Sequence, residues 1–376
     1  MELSISKKNF LRGLARTHAV ADRKSSMPIL SNILLSTDGK STLRFAATDL
    51  YLGVSASAEA TIVKPGTVAV PARTLFEIVK NLPEGDVSFV VGPTHAVEIR
   101  CGKVRFKIPG MPGEDFPALP SPGDAKLAEL DIDTLSELIA RTHYSMSTDD
   151  TRPHLAGALF EGDGKNVRMV TTDGHRLSKA EKKVSEGLMN FSMLVPSKGI
   201  AELRRLIEDA KGDKTKGDDK PMTVGIASVS GNAFFRRDGI QLSVKLADEQ
   251  FPPYSKVIPQ QQDRRIIISR TAFSEALRRI ALVASDKSGG VRLSIEAGKL
   301  HITSENPDVG EGSEDLDVDF AGKPVVIGFN AKYVLDVLAA LPDNEIALEL
   351  SGELEPGVIK AAGDANFVGV IMPMRI

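Results

Sequence analysis

The chain has 376 residues, 42% hydrophobic and 26% charged, enough for two or three packed domains, which excludes a disordered or collagen-like chain. Its 47 basic and 50 acidic residues leave a formal charge of -3, so the total does not point to a polyanion. One cysteine, Cys101, excludes an intramolecular disulfide and a cysteine-based metal cluster and makes a reducing cytoplasm the expectation. The opening residues, Met1-Glu-Leu-Ser-Ile-Ser-Lys-Lys, have no apolar core, and no apolar run approaches the ~18 residues of a span, so neither signal peptide nor membrane segment is expected.

In chain order, the first expected helix covers residues 4–17, with Phe10 and Leu14 on one side and Lys8, Arg12 and Arg16 in a stripe on the other. A hairpin turning at Asp38-Gly39 follows, its outgoing strand ending in Thr48-Asp49, and a second helix opens near Ala72. Then the order begins again. Ala15-Arg16-Thr17-His18 recurs as Ala140-Arg141-Thr142-His143, Gly39-Lys40 as Gly164-Lys165 and Val70-Pro71 as Val195-Pro196, all at an offset of 125 residues. The second copy has its helix at Leu135 and Ile139, its turn at Asp163-Gly164, its strand end at Thr172-Asp173 and its second helix near Ser197. A third, fainter copy lies 134 residues further on, with Gly298-Lys299 repeating Gly164-Lys165, its turn at Ala297-Gly298, Ser304-Glu305 as the strand end, and helices at Phe273, Leu277 and Ile280 and from Ala331. The charged run from Lys211 to Lys220 reads as a solvated loop within the second copy. The segments Asp115-Phe116-Pro117 and Gln250-Phe251-Pro252 close the first two copies before Pro-rich connectors. The expected architecture is α+β: three repeated domains, residues 1–122, 127–260 and 264–376, each with two helices packed on antiparallel sheet.

Charge is distributed unevenly over this plan. The six expected helices (4–17, 72–80, 134–142, 197–207, 270–281 and 331–341) hold 14 basic and 5 acidic residues, so +9 sits on helices and -12 elsewhere. Solvated helix faces ordinarily mix both signs. Basic helices in an acidic chain suggest a surface for a polyanion, contacted through phosphate because no base-reading motif is present. Catalysis is not expected. Asp173, His175 and Ser178 crowd one turn, where nucleophile, base and orienter cannot stack, and no phosphate loop, nucleophile elbow or metal-binding histidine pair occurs. Neither cofactor nor metal is expected.

Four segments add a specific likeness: Met27-Pro28-Ile29-Leu30, Thr172-Asp173-Gly174-His175-Arg176-Leu177, Phe329-Asn330-Ala331-Lys332-Tyr333-Val334-Leu335-Asp336-Val337-Leu338 and Met372-Pro373-Met374-Arg375-Ile376. Through them the chain resembles, over its whole length, the family of bacterial DNA polymerase III β subunits, the sliding clamps. The resemblance implies a head-to-tail homodimeric ring of six similar domains around duplex DNA, with twelve helices lining the hole. Implied partners are the DNA polymerase III alpha subunit, the clamp loader, and other polymerases and repair factors that dock through short peptide motifs. A monomeric repeat scaffold that binds protein partners without DNA is the alternative.

Three sets of residues follow from the resemblance and the charge pattern. The ring joint is expected to unite Lys103, Arg105 and Phe106 of the first copy with Ala281, Leu282, Glu311, Glu314 and Asp315 of the third. Candidate phosphate contacts are Lys8, Arg12, Lys24, Arg73, Lys80, Arg141, Lys198, Arg204 and Arg205; Lys24, Arg73, Lys198 and Arg205 match positions the family uses for DNA. Pro153 and His154 stand where relatives often carry aromatics, and Asp149 replaces a neutral polar residue. The peptide pocket implied by the family comprises Leu155, Thr172, Gly174, His175, Arg176, Leu177, Pro252, Lys256, Val257, Asn330, Tyr333, Val370, Met372, Pro373, Met374 and Arg375. The apolar members suit a partner's Leu or Phe anchors, and His175, Arg176, Asn330 and Arg375 form its expected polar rim. Lys256 stands where the family often has Arg.

Overall fold

A computed structural model describes all residues except 23, 150, 185–189, 213–221, 285–288 and 376, so most of the expected charged loop lies outside the described residues. In the first repeat the order is β1 (Glu2–Ser6), α1 (Lys7–Thr17), β2 (Asn32–Asp38), β3 (Thr42–Thr48), β4 (Leu52–Glu59), β5 (Thr61–Lys64), β6 (Thr67–Pro71), α2 (Ala72–Asn81), β7 (Asp86–Val91), β8 (Val97–Cys101), β9 (Val104–Ile108) and β10 (Met111–Pro112). The second runs β11 (Ala128–Asp131), α3 (Ile132–Thr142), β12 (Gly157–Gly162), β13 (Asn166–Thr172), β14 (Arg176–Lys183), β15 (Phe191–Pro196), α4 (Ser197–Gly212), β16 (Thr223–Val229), β17 (Asn232–Arg237) and β18 (Ile240–Lys245). The third runs β19 (Arg264–Ser269), α5 (Arg270–Ile280), β20 (Gly290–Glu296), β21 (Lys299–Asn306), β22 (Gly310–Asp317), β23 (Val325–Asn330), α6 (Ala331–Ala340), β24 (Glu345–Leu350), β25 (Gly357–Ala361) and β26 (Phe367–Ile371).

Local chemistry sets the boundaries. The first helix starts three residues later than expected: Leu3 and Ile5 alternate into the core as strand β1, and the Ser6 hydroxyl accepts the Asn9 N–H as N-cap. The three hairpin turns occur where the repeats place them, and Gly39, Gly164 and Gly298 have φ of 62, 85 and 76°, a region glycine enters without Cβ strain.

Each repeat divides its strands between two sheets rather than one. Among the described residues four sheets result, in the orders β5-β1-β7-β8-β9, β10-β6-β2-β3-β4-β18-β17-β16-β11, β15-β12-β13-β14-β26-β25-β24-β19 and β22-β21-β20-β23. The long sheets are therefore joints between repeats: β4 pairs with β18, joining the first repeat to the second, and β14 pairs with β26, joining the second to the third. As a consequence the chain forms two compact units, Met1–Ile132 with Ala201–Leu246 and Asp133–Ile200 with Ala247–Ile376, and the middle repeat is shared between them.

Within the first repeat, Phe10 of α1 lies between the two half-sheets, 6.0 Å from the Phe45 ring on β3 and 5.8 Å edge-on from Phe89 on β7. Leu14, Leu75 and Val79 complete that core from α1 and α2. A Cβ on Gly13 would overlap the Phe45 ring, so glycine lets helix and sheet approach closely here.

Candidate functional site

The outgoing strand of the second repeat ends in a turn that the sequence dictates. The Thr172 hydroxyl donates to the Arg176 carbonyl at 2.6 Å and accepts the Gly174 N–H, while the Asp173 carboxylate accepts the N–H groups of His175 and Arg176. Thr48 and Asp49 build the same turn in the first repeat. Asp173 is thus a turn residue. Ser178 is bonded to the Ser145 hydroxyl and the Tyr144 phenol, each at 2.8 Å, so Asp173, His175 and Ser178 form no relay. Burial pushes the Tyr144 phenol well above its ordinary pKa.

Beyond this turn lies a groove of about 150 Å³ lined by Arg152, His154, Leu155, Thr172, Gly174, Arg176, Leu177, Pro252, Tyr254, Val257, Val370 and Met372. Its floor is set by sheet register: Leu177 on β14 is paired with Val370 on β26, and both are buried with Val170. Val257 and Met372 remain about 40% exposed at its mouth, apolar surface without cover. Gly174 has φ +91°, and a Cβ there would meet the Arg152 guanidinium at 2.8 Å. The chain end is strapped in place by the backbone, Met372 N–H to the His175 carbonyl and Met374 N–H to the Gly328 carbonyl, both 2.9 Å.

Nine of the residues expected at the pocket line this groove; His175, Lys256, Asn330, Tyr333, Pro373, Met374 and Arg375 are not among its lining residues. The His175 ring stacks at 6.5 Å on Tyr333 of α6. Asn330 caps that helix, its side-chain oxygen accepting the N–H of Lys332 and Tyr333. Arg176 differs from its expected rim role. Only 7% exposed, it bonds Asp173 at 3.0 Å, Asp336 of α6 at 2.6 Å and the Tyr144 carbonyl at 2.6 Å, with its guanidinium 4.5 Å from the Tyr333 ring centre. Its charge is used in bracing the wall of the groove. Sequence reasoning did not place Arg152 or Tyr254 here. Tyr254 had a signal, an aromatic in the connector beside Pro252 and Val257; Arg152 had none, because its position depends on the turn it crosses, where it donates to the Asp173 carbonyl at 3.1 Å.

The basic positions separate into two groups. Lys8, Arg12, Lys24, Arg73, Lys80, Lys198, Arg204 and Arg205 are exposed, with Arg205 bonded to Glu202 at 2.6 Å and Arg204 3.9 Å from Glu208. Burial raises the pKa of the Glu202 carboxyl. Arg141 is a correction: it is 7% exposed, paired with Glu137 at 2.9 Å and Asp364 at 2.6 Å, and lies over the Phe367 ring. Two carboxylates neutralise it inside the protein, which removes it from the phosphate contacts. The observed helices extend past the expected bounds, adding Asp133, Glu208, Asp209 and Lys211, so they hold 15 basic against 8 acidic residues and the bias falls to +7.

The expected joint residues lie at or beside β9 and β22, which are edge strands of the first and fourth sheets. β9 is one edge, with Phe106 40% exposed; β22 is the other, and Leu282, in the 3-10 turn after α5, is 79% exposed. Three expected charge partners are already engaged within the chain: Arg105 with Glu98 at 2.9 Å, Glu314 with Arg279 at 2.6 Å and Asp315 with Lys299 at 2.7 Å. Hydrogen bonds from Arg279 and from Lys299 hold the Glu314 and Asp315 carboxyls below their ordinary values. Lys103 and Glu311 are exposed, and Ala281 is half-buried. Among the described residues no group of His, Cys, Asp and Glu could hold a metal ion, and no helix is long and apolar enough to cross a membrane.

Known proteins share this fold. The chain matches the family descriptions of the DNA polymerase III beta subunit for its N-terminal domain over residues 1–120, its central domain over 129–253 and its C-terminal domain over 255–375. It is 35% identical to the beta sliding clamp of Caulobacter vibrioides over 383 aligned positions, covering 100% of both chains. It is 34% identical to the Escherichia coli beta sliding clamp, again covering 100% of both. The crystal structure of the DNA polymerase III subunit beta from Pseudomonas aeruginosa superposes with a TM-score of 0.93 at 30% identity, covering 100% of both. With three repeats of two helices, half-sheets fused between neighbours and full-length kinship to these proteins, the chain belongs to the DNA polymerase III beta subunit family, the sliding clamps of DNA replication.

Proposed function

We propose that two copies of this chain close head to tail into a ring around duplex DNA, and that the groove at Met372 receives short tails of replication and repair proteins. One observation supports the ring above all. Twice within the chain a strand of one repeat's outgoing half-sheet pairs with the last strand of the next repeat, β4 with β18 and β14 with β26. The strands in the matching places that lack such a partner are β22, the third outgoing strand, and β9, which ends the first repeat's other half-sheet. A second copy satisfies both strands with the same kind of joint, and a heterologous contact that closes into a ring leaves neither of them open. We keep the domain limits at residues 1–122, 127–260 and 264–376.

Exposed basic residues on α1, α2 and α4 supply phosphate contacts without base readout, which suits a ring that slides and is retained by topology. The DNA polymerase III alpha subunit, the clamp loader, and other polymerases and repair factors are the partners of the groove, through apolar anchors seated on Leu177, Val257, Val370 and Met372. The protein acts as a cytoplasmic tether and has no turnover of its own. The monomeric scaffold leaves both sheet edges and the basic helix faces without a role. The test is retention: loaded protein stays on circular duplex DNA through gel filtration and is lost when that DNA is linearised, whereas equal retention on both forms overturns the ring.

A further inference from the structure

The three first helices, α1, α3 and α5, are each eleven residues long, and the tenth residue of each is an arginine: Arg16, Arg141 and Arg279. The first two cross to the next repeat. Arg16 bonds Asp209 of the second repeat at 2.8 and 2.6 Å, and Arg141 bonds Asp364 of the third at 2.6 Å; both arginine side chains are 9% exposed. Among the described residues no repeat follows that of Arg279. Its side chain is 56% exposed, bonded to Glu314 of its own repeat, with Glu275 at 4.0 Å occupying the i-4 position that Glu137 occupies beside Arg141.

Arg141 bonds Asp364, and another part of the cleft it enters in the third repeat has a counterpart in the first. The lining of this cleft includes Pro342, Asp343, Asn344 and Glu345, just after α6. The segment Leu341-Pro342-Asp343-Asn344-Glu345 has its counterpart after α2, as Leu82-Pro83-Glu84-Gly85-Asp86, with both acids at the same spacing. Here the Glu84 side chain is 84% exposed, bridged only to Lys7 among the described residues, and Asp86 is exposed. Among the described residues this arginine has no next repeat and this acidic corner no preceding one; their charges are complementary, and their repeats hold the edge strands β22 and β9.

We propose that Arg279 is the interface member of this arginine set, and that its guanidinium seats on the Glu84–Asp86 corner of a second copy of the chain. The proposal rests on the head-to-tail ring and adds to it the charged contact that fixes its direction. Five N–H donors allow Arg279 to keep Glu314 while taking the new carboxylate, as Arg141 keeps Glu137 while holding Asp364. A joint of the same two ends in the wrong order would bring two arginines or two acidic corners together, which repels.

The test is a charge swap on the full chain, read as the dimer dissociation constant by analytical ultracentrifugation, with thermal melting of each variant to verify folding. Leu282→Asp combined with Phe106→Ala supplies the monomer reference. Arg279→Glu and Glu84→Arg are each expected to weaken the dimer about tenfold or more, and the two together to recover to within about threefold of the parent. Arg279→Gln, which folds without a new charge, is expected to weaken it less than Arg279→Glu and to flatten its salt dependence. A parent protein that stays monomeric overturns the ring itself. A dimeric parent whose single variants bind unchanged, or whose swap does not recover, overturns the Arg279 contact alone.

Discussion

At the scale of single residues, two buried arginines hold neighbouring repeats together. Arg176 ties the β13–β14 turn to Asp336 on α6, and Arg141 ties α3 to the turn at Asp364. Burial raises the Asp364 carboxyl, and the Asn366 N–H and Arg141 more than offset this, so it ionises below the ordinary aspartate value of 3.8. A carboxyl with a lowered folded pKa contributes stability that is complete above its unfolded value and is lost as pH falls through the folded one. Asp364→Asn is therefore expected to cost about 2 kcal/mol at pH 7, less than the ~3–5 for a buried arginine losing its sole partner, because Glu137 remains. The same variant should lose less stability than the parent between pH 5 and pH 3. Denaturant melts across that range measure both effects; an unchanged acid limb would mean that Asp364 does not titrate as its surroundings require. Neither arginine's role was legible in the sequence. The Ala-Arg-Thr-His repeat drew attention to Arg141 only as a basic helix residue, and the carboxylates of the next repeat that Arg176 and Arg141 bond lie 160 and 223 positions away.

At the scale of elements, the groove depends on its last strand and the residues just after it. β26 supplies Val370 to the floor and leads to Met372, whose backbone bond to His175 holds the chain end beside the Thr172–Arg176 turn. Removing residues 372–376 leaves β26 and its pairing with β14 intact, so the fold and the dimer are expected to survive. Binding of a short Gln- and Leu-containing polymerase peptide is expected to fall at least about tenfold, since an apolar anchor loses a wall worth about 1.5–3 kcal/mol of burial. Isothermal calorimetry measures this; unchanged affinity would locate the peptide elsewhere. Much of the turn was readable, because Thr-Asp-x-x at a strand end has a local hydrogen-bonding logic that Thr48-Asp49 repeats. The division of each repeat between two sheets was not. Alternating strands specify two faces but do not name the neighbouring strand, and the β4–β18 joint links positions nearly two hundred residues apart.

At the scale of the whole molecule, the basic helix faces have a measurable consequence. Lys198 and Arg73 are exposed and form no ion pair among the described residues, so each is free to displace one counterion from DNA. Lys198→Ala or Arg73→Ala should weaken loading equally on every DNA sequence and flatten the log–log salt slope by about one unit each, while Arg141→Ala should leave that slope unchanged because its charge is already neutralised. Fluorescence anisotropy across a salt series reads all three. A strong preference for one DNA sequence would contradict contact through phosphate alone.

Sequence by itself determined the number of repeats, the six helices and the hairpin glycines, because helix periodicity, caps and positive-φ turns are decided by residues within a few positions of one another. It also singled out the residues of the groove's turn and chain end through family resemblance. Tertiary structure alone decided which basic residues keep their charge for a ligand, which strands are left as edges, and that Arg176 braces the groove. Those outcomes depend on desolvation and on partners far along the chain: Arg141 and Arg73 look alike as letters, and only packing buries one between two carboxylates and leaves the other in water.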